Sequence, residues 1–284
     1  MTSSGQFARA TIAYDGTDFL GFQWQAKGRT VQGVLEAALT RVTQAETRVT
    51  GAGRTDAGVH AQGQVVGFQA VWKHPLGDLH RALNAVLPED LAVQQLGEAE
   101  PGWHPRFSAT RRHYRYTVLN QPVRSPLDRR YAHQVAPPLD LAALNAGAAA
   151  LIGEQDFASF GQPMVRAVRP TNCEGDEEPV SGGSTVRRVF SAGWQQQDAW
   201  FIFDIEGNAF LRGMVRSIVG TLLQVGLGLP GPNASPGHAV RAGGEAGARW
   251  PAKRVAAILA GRDRSQAAPP APACGLCLMK VFYD

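Results

Sequence analysis

The chain has 284 residues, of which 44% are hydrophobic and 18% are charged. This is enough apolar material for the core of one large domain or two smaller ones, and too little charge for a disordered chain. No apolar run reaches the roughly 20 residues that span a bilayer, and residues 1–5 lack the pattern of a signal peptide. Three cysteines, an odd number in a long chain, argue against a disulfide framework. The composition therefore predicts a soluble, cytoplasmic globular protein.

Most basic residues are arginines. Four of the 28 basic residues are lysines and the other 24 are arginines, and the formal net charge is +4. The planar fork of arginine suits phosphate groups and base edges, although a genome biased towards arginine codons would produce the same excess. Several arginines occur close together, as a nucleic-acid-binding surface requires. These groups are Arg111 with Arg112, Arg129 with Arg130, Arg187 with Arg188, and Arg212 with Arg216.

The first part of the chain is predicted to alternate between strands and helices. Residues 31–42 form an amphipathic helix in this prediction, because apolar residues recur at i, i+3, i+4, i+7 and i+8 and Thr30 can cap the first turn. We interpret the order of elements as a split βαβ unit over residues 1–105. The other predicted elements are strands at 8–14, 64–71 and 91–96, a glycine-punctuated loop that begins at 48–50, and a helix at 78–86.

A second, looser series of the same kind is predicted for residues 106–284, so the fold class is α+β. In the strand at 111–119, alternate residues such as Arg112 and Tyr114 share one face. The remaining predicted elements are helices at 139–152, 210–225 and 254–259, a strand pair at 187–194 and 200–205, and a final strand at 276–283. Exposed loops are predicted at 173–184, which is acidic, and at 228–247.

Residues 51–60, GAGRTDAGVH, hold three glycines around one charged pair, Arg54 and Asp56. The plain structural interpretation is a tight connection between strands. A dinucleotide-binding loop fits poorly, because Asp56 stands where the third glycine belongs and a strand follows. An aspartate in such a loop can serve as a nucleophile or base when a nearby cation keeps it ionised.

Two other side chains have both a structural and a functional interpretation. On the predicted helix Arg216 lies one turn after Arg212 among apolar residues, where a buried arginine needs a partner. The alternative is a surface arginine whose stem covers apolar neighbours. Tyr114 alternates with Tyr116 on one strand face, where a core tyrosine with a bonded hydroxyl is the commoner case.

Seven blocks of the sequence, in order from residue 14 to residue 283, resemble the tRNA pseudouridine synthase A family. The resemblance implies isomerisation of uridine to pseudouridine at positions 38, 39 and 40 of tRNA, in the anticodon stem-loop, without a cofactor or a metal. It also implies two ferredoxin-like units that share one continuous mixed antiparallel sheet flanked by helices, and a homodimer that holds tRNA across both subunits. The blocks are YDGTDFLGFQWQ, VQGVLEAAL, GAGRTDAGVHA, LNAVLPEDLAV, FSATRRHYRYTVLN, FLRGMVRSIVGTLLQVGLG and APACGLCLMKVFY.

The resemblance also implies roles for single residues. Asp56, in the N-terminal unit, corresponds to the catalytic nucleophile, and Arg54 to an arginine linked to base flipping. Tyr114 and Arg216, in the C-terminal unit, correspond to a tyrosine that contacts the target base and can transfer protons, and to an arginine that pairs with the aspartate. The other residues implied in tRNA binding are Arg106, Phe107, Arg111, Arg112, Arg187, Arg188 and Arg212.

A metal site is not expected. Cys274 and Cys277 form a CxxC motif, but a structural zinc site needs further ligands. Alternation along the final strand groups Cys277 with Met279 and Val281, which predicts buried thiols.

Two other classes of protein share parts of this pattern. An RNA-binding protein with RRM-like sheets needs stacking aromatics and no ionised aspartate. A sugar-cleaving hydrolase commonly uses two carboxylates, and no second acid accompanies Asp56 in its motif. The combination of Arg54, Asp56, Tyr114 and Arg216 favours the synthase.

Overall fold

The computed structural model describes residues 6–162, 183–228 and 250–283, and in these ranges ten strands form one mixed sheet. The strands are β1 Gln6–Tyr14, β2 Val49–Gly51, β3 His60–Ala70, β4 Leu91–Glu98, β5 Ala109–Asn120, β6 His133–Val135, β7 Gly153–Asp156, β8 Val186–Gln197, β9 Trp200–Gly207 and β10 Leu276–Tyr283. The helices are α1 Val31–Thr43, α2 Leu76–Val86, α3 Leu141–Ala149, α4 Met214–Leu227 and α5 Lys253–Gly261. The strand order is β4-β1-β3-β10-β5-β9-β8-β7, with β2 beside β3 and β6 beside β5.

Helix α1 confirms the prediction made from its apolar spacing. The backbone N–H of Gly33 donates to the hydroxyl oxygen of Thr30 at 3.2 Å, so Thr30 caps the first turn as expected. Leu35 and Leu39 are buried, and the helix ends at Gln44, which has left-handed backbone with φ 54°. The apolar stripe therefore directs one side of α1 into the core.

The last strand, β10, joins the two parts of the sheet. It runs parallel to β3 and antiparallel to β5, so that Leu278 lies between Ala61 and Tyr114. The sheet is continuous from β4 to β7 for this reason. The predicted α+β class, with a mixed sheet and helices, is confirmed.

Strand β5 has one buried face, as its alternation predicts. Tyr116 is fully buried between Leu276 on β10 and Phe203 on β9, which are also buried. Arg112 and Tyr114 share this face with Tyr116. Arg111 and Arg115 point to the opposite side of the strand. The face that holds Tyr114 is therefore the face of the core.

The prediction that Arg212 belongs to the long helix is wrong. Helix α4 begins only at Met214, because Gly213 adopts left-handed backbone with φ 69°. Arg212 lies before it in extended backbone and forms an antiparallel bridge with Gln162, with N···O distances of 3.1 and 3.4 Å. Arg212 and Arg216 therefore do not stand one turn apart on one helix.

Two other predicted boundaries also differ. The helix predicted at 139–152 is limited to α3, and Gly153 begins strand β7 with φ 108° instead of ending the helix. Residues 48–50, predicted as the start of a loop, overlap strand β2, whose Val49 pairs with Phe68 of β3. Three-residue strands such as β2 are too short for a periodic signal, so only their partner strand reveals them.

The grouping predicted for the cysteine face is partly wrong. The register of β10 shifts between Leu278 and Lys280, which places Val281 in the core and leaves Cys277 half-buried with Met279. A bulge of this kind reverses the alternation that the prediction assumed. Cys274 is a free thiol, like Cys277.

Several predicted features lie outside the described residues. These are most of the acidic stretch at 173–184, which includes Cys173, and nearly all of the stretch at 228–247. Within the described ranges, no helix has the length and apolar character that crossing a membrane requires.

Candidate active site

The glycine loop predicted to carry the chemistry connects β2 to β3 and is clamped against residues 19–22. The N–H of Phe22 donates to the carbonyl oxygen of Thr55 at 3.1 Å, and the N–H of Gly58 donates to that of Phe19 at 3.2 Å. Gly58 has φ 76°, and a Cβ on Gly21 would stand 2.7 Å from the Thr55 oxygen. The glycines thus allow a close backbone approach that holds Asp56 at the mouth of a cleft.

Asp56 forms an ion pair across the cleft with Arg216 of α4. The Nη1 atom of Arg216 lies 3.6 Å from Oδ2 of Asp56, and the two side chains are 23% and 30% exposed. The Arg216 Nε–H donates to the carbonyl oxygen of Ala271 at 2.7 Å, and the Ala271 N–H donates back to the carbonyl oxygen of Arg216 at 2.9 Å. The pairing predicted from the sequence is confirmed, and Ala271 holds the guanidinium in place.

Tyr114 lies in the same cavity, on the core face of β5. Its side chain packs edge-to-face against Phe210, with ring centroids 5.2 Å apart and an interplanar angle of 84°. The pKa of Tyr114 is raised to about 12, chiefly by burial; the charge of Arg112 lowers this pKa and the charge of Asp56 raises it. The hydroxyl therefore stays protonated at neutral pH and can donate a hydrogen bond.

These residues line a cavity of about 930 Å³, which is the size of a site for a small molecule or a single nucleotide. Among its described lining residues Asp56 is the only acidic side chain, whereas six are arginines. The apolar part of the lining includes Leu276, Leu278 and Val281 from β10. A single carboxylate surrounded by cations suits an anionic substrate and does not provide the acid pair of a hydrolase. The six arginines are Arg54, Arg106, Arg112, Arg212, Arg216 and Arg264.

Arg112 is a buried residue of the cavity lining, and its terminal N–H groups are held by backbone oxygens. Its Nη1 donates to the carbonyl oxygens of Ala109 at 3.0 Å and Asn208 at 2.6 Å, and its Nη2 donates to those of Ala52 at 3.2 Å and Arg106 at 2.7 Å. Burial lowers the pKa of Arg112, and the neighbouring Arg106 lowers it further. All four terminal N–H groups are thus used within the protein.

The structure separates the residues implied in tRNA binding into two groups. Arg54, Arg106, Arg112 and Arg212 line the cavity, as described above. The other four do not line it, and they are Phe107, Arg111, Arg187 and Arg188.

The second group lies on more open surface. Arg111 pairs with Glu206 at 2.9 Å, and its guanidinium lies 5.1 Å from the centre of the Phe190 ring. The guanidinium of Arg188 lies 5.7 Å from the centre of the same ring. Phe107 is exposed and stacks on His104 with centroids 4.4 Å apart. Exposed aromatic rings beside arginines are the surface on which single-stranded bases stack.

Arg187 combines features of both groups. It is half-buried, and its Nη1 donates to the carbonyl oxygens of Ser184 and Val186 at 2.9 and 2.6 Å. Burial lowers its pKa, and the positive charge of Arg106 lowers it as well. Arg187 is thus affected electrostatically by Arg106, which lines the cavity.

Sequence reasoning missed two functional neighbours. Phe210 orients Tyr114, but the prediction counted it as the first residue of the α4 helix. Ala271 positions Arg216 through backbone atoms, and its side chain carries no sign of that role. Phe210 could have been noticed as the aromatic residue at the start of the block FLRGMVRSIVGTLLQVGLG. The role of Ala271 depends on a backbone carbonyl, which leaves no signal in a sequence.

His60, which was predicted to be structural, is bound within the protein. Its Nδ1 accepts from the N–H of Gly16 at 3.0 Å, and its Nε2 lies 2.8 Å from the carbonyl oxygen of Arg130. Asp15 lies 3.1 Å from the same Nδ1. In the described ranges no three His, Cys, Asp or Glu side chains converge as metal ligands would.

Comparison with known proteins gives one consistent result. The family model described as tRNA pseudouridine synthase matches residues 10–108 and 148–284. A protein named tRNA pseudouridine synthase A from Roseiflexus sp. (strain RS-1) is 44% identical over 276 residues, which cover 96% of this chain and 88% of that protein. Proteins of the same name from Geobacter sp. (strain M21) and Citrifermentans bemidjiense are 40% and 39% identical, each over 96% of both chains. The chain belongs to the tRNA pseudouridine synthase family.

Proposed function

We propose that this protein isomerises uridine to pseudouridine in the anticodon stem-loop of tRNA. The observation that carries the proposal is the ion pair between Asp56 and Arg216 beside Tyr114, in a cavity whose other charged residues are arginines. Relatives named tRNA pseudouridine synthase A match this chain over nearly their whole length. Positions 38, 39 and 40 of tRNA are the targets that the resemblance implies.

The reaction requires one bond exchange and one proton transfer. The bond between C1′ of the ribose and N1 of uracil breaks, the base turns, and a bond forms between C1′ and C5. The proton lost from C5 is balanced by the proton gained at N1, so no oxidant or reductant takes part. A base in a stem must first leave its stack, which costs a few kcal/mol.

In this proposal Asp56 is the catalytic nucleophile, and it attacks either the ribose or the base. The bond to its carboxylate breaks again before the product leaves, so that Asp56 is regenerated. Arg216 supplies the counter-charge, which favours the carboxylate form in a partly enclosed cleft. Tyr114 contacts the flipped base, and its neutral hydroxyl can donate to a carbonyl oxygen of uracil. The C5 proton is then removed by a water molecule, or by Tyr114 once the hydroxyl has passed its own proton to the base. Arg54, which lies two residues before Asp56, assists base flipping, as the resemblance implies.

The remaining arginines are proposed as tRNA contacts. Two of them, Arg106 and Arg212, line the cavity. The others lie outside the cavity lining, and they are Arg187, Arg188 and Arg111, together with Phe107. Arginine binds phosphate oxygens through paired N–H groups, so these contacts provide affinity that depends little on sequence.

We also propose that the chain consists of two related ferredoxin-like units, at residues 1–105 and 106–284, and that it works as a homodimer in the cytoplasm. The strand orders β4-β1-β3-β2 and β10-β5-β9-β8 support the two units, because each begins with its last strand and has the same pattern of pairing. The homodimer is supported by the resemblance and by the frequency of two-fold assemblies.

Release of tritium from C5-labelled uridine in undermodified tRNA tests the proposed function. The wild-type protein is expected to release tritium and to leave pseudouridine in the RNA. Binding of tRNA without release would indicate an RNA-binding protein, and free uracil would indicate a hydrolase. Either result would contradict the proposal.

A further inference from the structure

We propose that Arg112 is a positioning residue, which ties the segments around the active site together, and not a contact for RNA. This inference rests on the proposed function, because the segments it joins carry the proposed catalytic side chains. The resemblance placed Arg112 only among residues that bind tRNA.

The geometry of the guanidinium supports this role. Its four terminal N–H groups each meet a different carbonyl oxygen, at distances from 2.6 to 3.2 Å. These oxygens belong to Ala52, Arg106, Ala109 and Asn208, which are spread over 157 residues of the chain but meet at one side chain. A guanidinium with all terminal donors used has only its Nε–H left for a phosphate oxygen.

Two of the tied segments lead directly to residues of the site. Ala52 precedes Asp56 by four residues in the glycine loop, and Asn208 precedes Phe210, which packs on Tyr114. Arg112 itself lies two residues before Tyr114, on the same face of β5. One side chain therefore fixes the nucleophile loop relative to the strand that holds the tyrosine.

Among the residues that the structure describes, the hydrogen-bond partners of Arg112 are neutral carbonyl oxygens and include no carboxylate, which makes the role specific. The positive charge of Arg106 lowers the pKa of Arg112 and does not offset its charge. Burial of a cation without an opposite charge is unfavourable, so a residue with a purely structural role would be served better by an apolar side chain. The fixed fork of arginine can hold four oxygens at set angles, whereas the single ammonium of lysine cannot.

The test compares Arg112→Met and Arg112→Lys with the wild-type protein in single-turnover reactions at saturating tRNA. We expect the rate constant to fall by at least about tenfold in Arg112→Met, which corresponds to about 1.4 kcal/mol in the activation barrier. Arg112→Lys is expected to lie between the two. The affinity for tRNA is expected to stay within a few-fold of wild type in both variants.

Two readouts separate positioning from a general loss of structure. A purely structural role would lower the amplitude of the single-turnover reaction, because less protein is folded, but would leave the rate constant of the folded fraction unchanged. Hydrogen exchange at residues 51–59 is expected to accelerate in Arg112→Met, since Ala52 loses its tie to β5.

Arg115→Met is the matched control, because it removes the same charge from the opposite face of the same strand. Arg115 is 40% exposed and pairs with Asp204 at 2.9 Å, away from the cavity. The rate constant of this variant is expected to equal that of the wild type. A wild-type rate constant in Arg112→Met, with or without weaker tRNA binding, would overturn the inference.

Asn208→Ala decides the matter if neither Arg112 variant folds. The Oδ1 atom of Asn208 accepts from the N–H groups of Arg188 and Ala209 at 3.0 and 2.8 Å, and so it shapes the turn whose carbonyl Arg112 binds. A rate constant lowered at least about threefold supports the inference, and an unchanged one contradicts it. If the wild-type protein itself were inactive on tRNA, the proposed function would fail, and hydrogen exchange alone would decide whether Arg112 positions the loop.

Discussion

Asp56 contributes the only acidic side chain among the described residues that line a cavity with six arginines. Arg216, with which it forms an ion pair, is fixed by two hydrogen bonds to Ala271, one from its side chain and one to its backbone. The carboxylate and the guanidinium come from different parts of the chain, 160 residues apart in sequence. Their separation of 3.6 Å is therefore set by the fold and not by a local motif.

Replacing Asp56 by asparagine is expected to abolish isomerisation while tRNA binding stays within a few-fold. The change removes the proposed nucleophile but keeps the size of the side chain, and affinity comes from phosphate contacts distributed over many arginines. Tritium release and a binding titration measure the two effects. Asp18→Asn, which removes an exposed carboxylate in the same half of the molecule, is the control and should react like wild type. Turnover by Asp56→Asn at the normal rate would contradict the proposed mechanism.

Replacing Arg216 by methionine is expected to reduce the single-turnover rate by about 100-fold, the size of the loss when one charge-stabilising donor is removed from an active site. Methionine keeps much of the length of the side chain but loses both the ion pair and the bond to Ala271. Arg216→Lys retains the charge and should recover part of the rate. Wild-type rates in both variants would show that the ion pair has no part in catalysis.

At the scale of elements, the pairing of β5 with β9 contains a half-buried cluster of charged side chains. Asp204 on β9 lies 2.7 Å from the Nε2 of His113 and 2.9 Å from the Nε of Arg115, both on β5. Burial alone would raise the pKa of Asp204, but the hydrogen bonds and charges of His113 and Arg115 outweigh it and lower that pKa below its ordinary value of 3.8. These contacts therefore stabilise the folded form of the sheet when Asp204 is ionised.

Asp204→Asn is expected to lower the free energy of unfolding at pH 7 by about 1 kcal/mol. A carboxyl whose pKa is lowered by folding stabilises the protein above its unfolded pKa, and this stabilisation disappears as the pH falls through the folded pKa. The difference between wild type and Asp204→Asn should therefore be constant above about pH 5 and shrink below about pH 4. Denaturant unfolding across this pH range provides the measurement. A difference that does not change with pH would exclude this explanation.

At the scale of the whole molecule, the basic surface beside the cavity should make tRNA binding depend strongly on salt. Each phosphate neutralised adds about 0.9 to the slope of log affinity against log salt concentration on a duplex. Arg188→Met is expected to reduce the magnitude of that slope by about 0.9, the contribution of one phosphate contact, because Arg188 lies exposed beside Phe190. Arg81→Met, an exposed arginine on α2, is the control and should leave the slope unchanged. A flat salt response in the wild type would contradict binding through phosphates.

The proposed homodimer is tested by sedimentation at the protein concentration of the activity assay. A mass twice that of the single chain is expected, because the resemblance implies that each tRNA contacts both subunits. A fully active monomer would contradict this part of the proposal.

Much of this protein was predictable from the order of its residues. Helix α1 follows from apolar spacing and a capping threonine, and the buried face of β5 follows from strict alternation, because both patterns are set by local backbone geometry. The pairing of Asp56 with Arg216 followed from the resemblance to the family, because the residues alone also allowed a surface arginine whose stem covers apolar neighbours.

The tertiary structure alone decided three other features. Arg212 lies outside helix α4, because Gly213 has left-handed backbone and because Arg212 forms a β-bridge with Gln162, about 50 residues earlier in the chain. The register of the pairing between β10 and β5 shifts between Leu278 and Lys280, and this bulge places the side chain of Val281 in the core. Arg112 connects segments that are distant in sequence, because its guanidinium donates hydrogen bonds to four carbonyl oxygens. Backbone oxygens carry no side-chain signature, and contacts between distant segments depend on how the chain folds, so neither leaves a local pattern in the sequence.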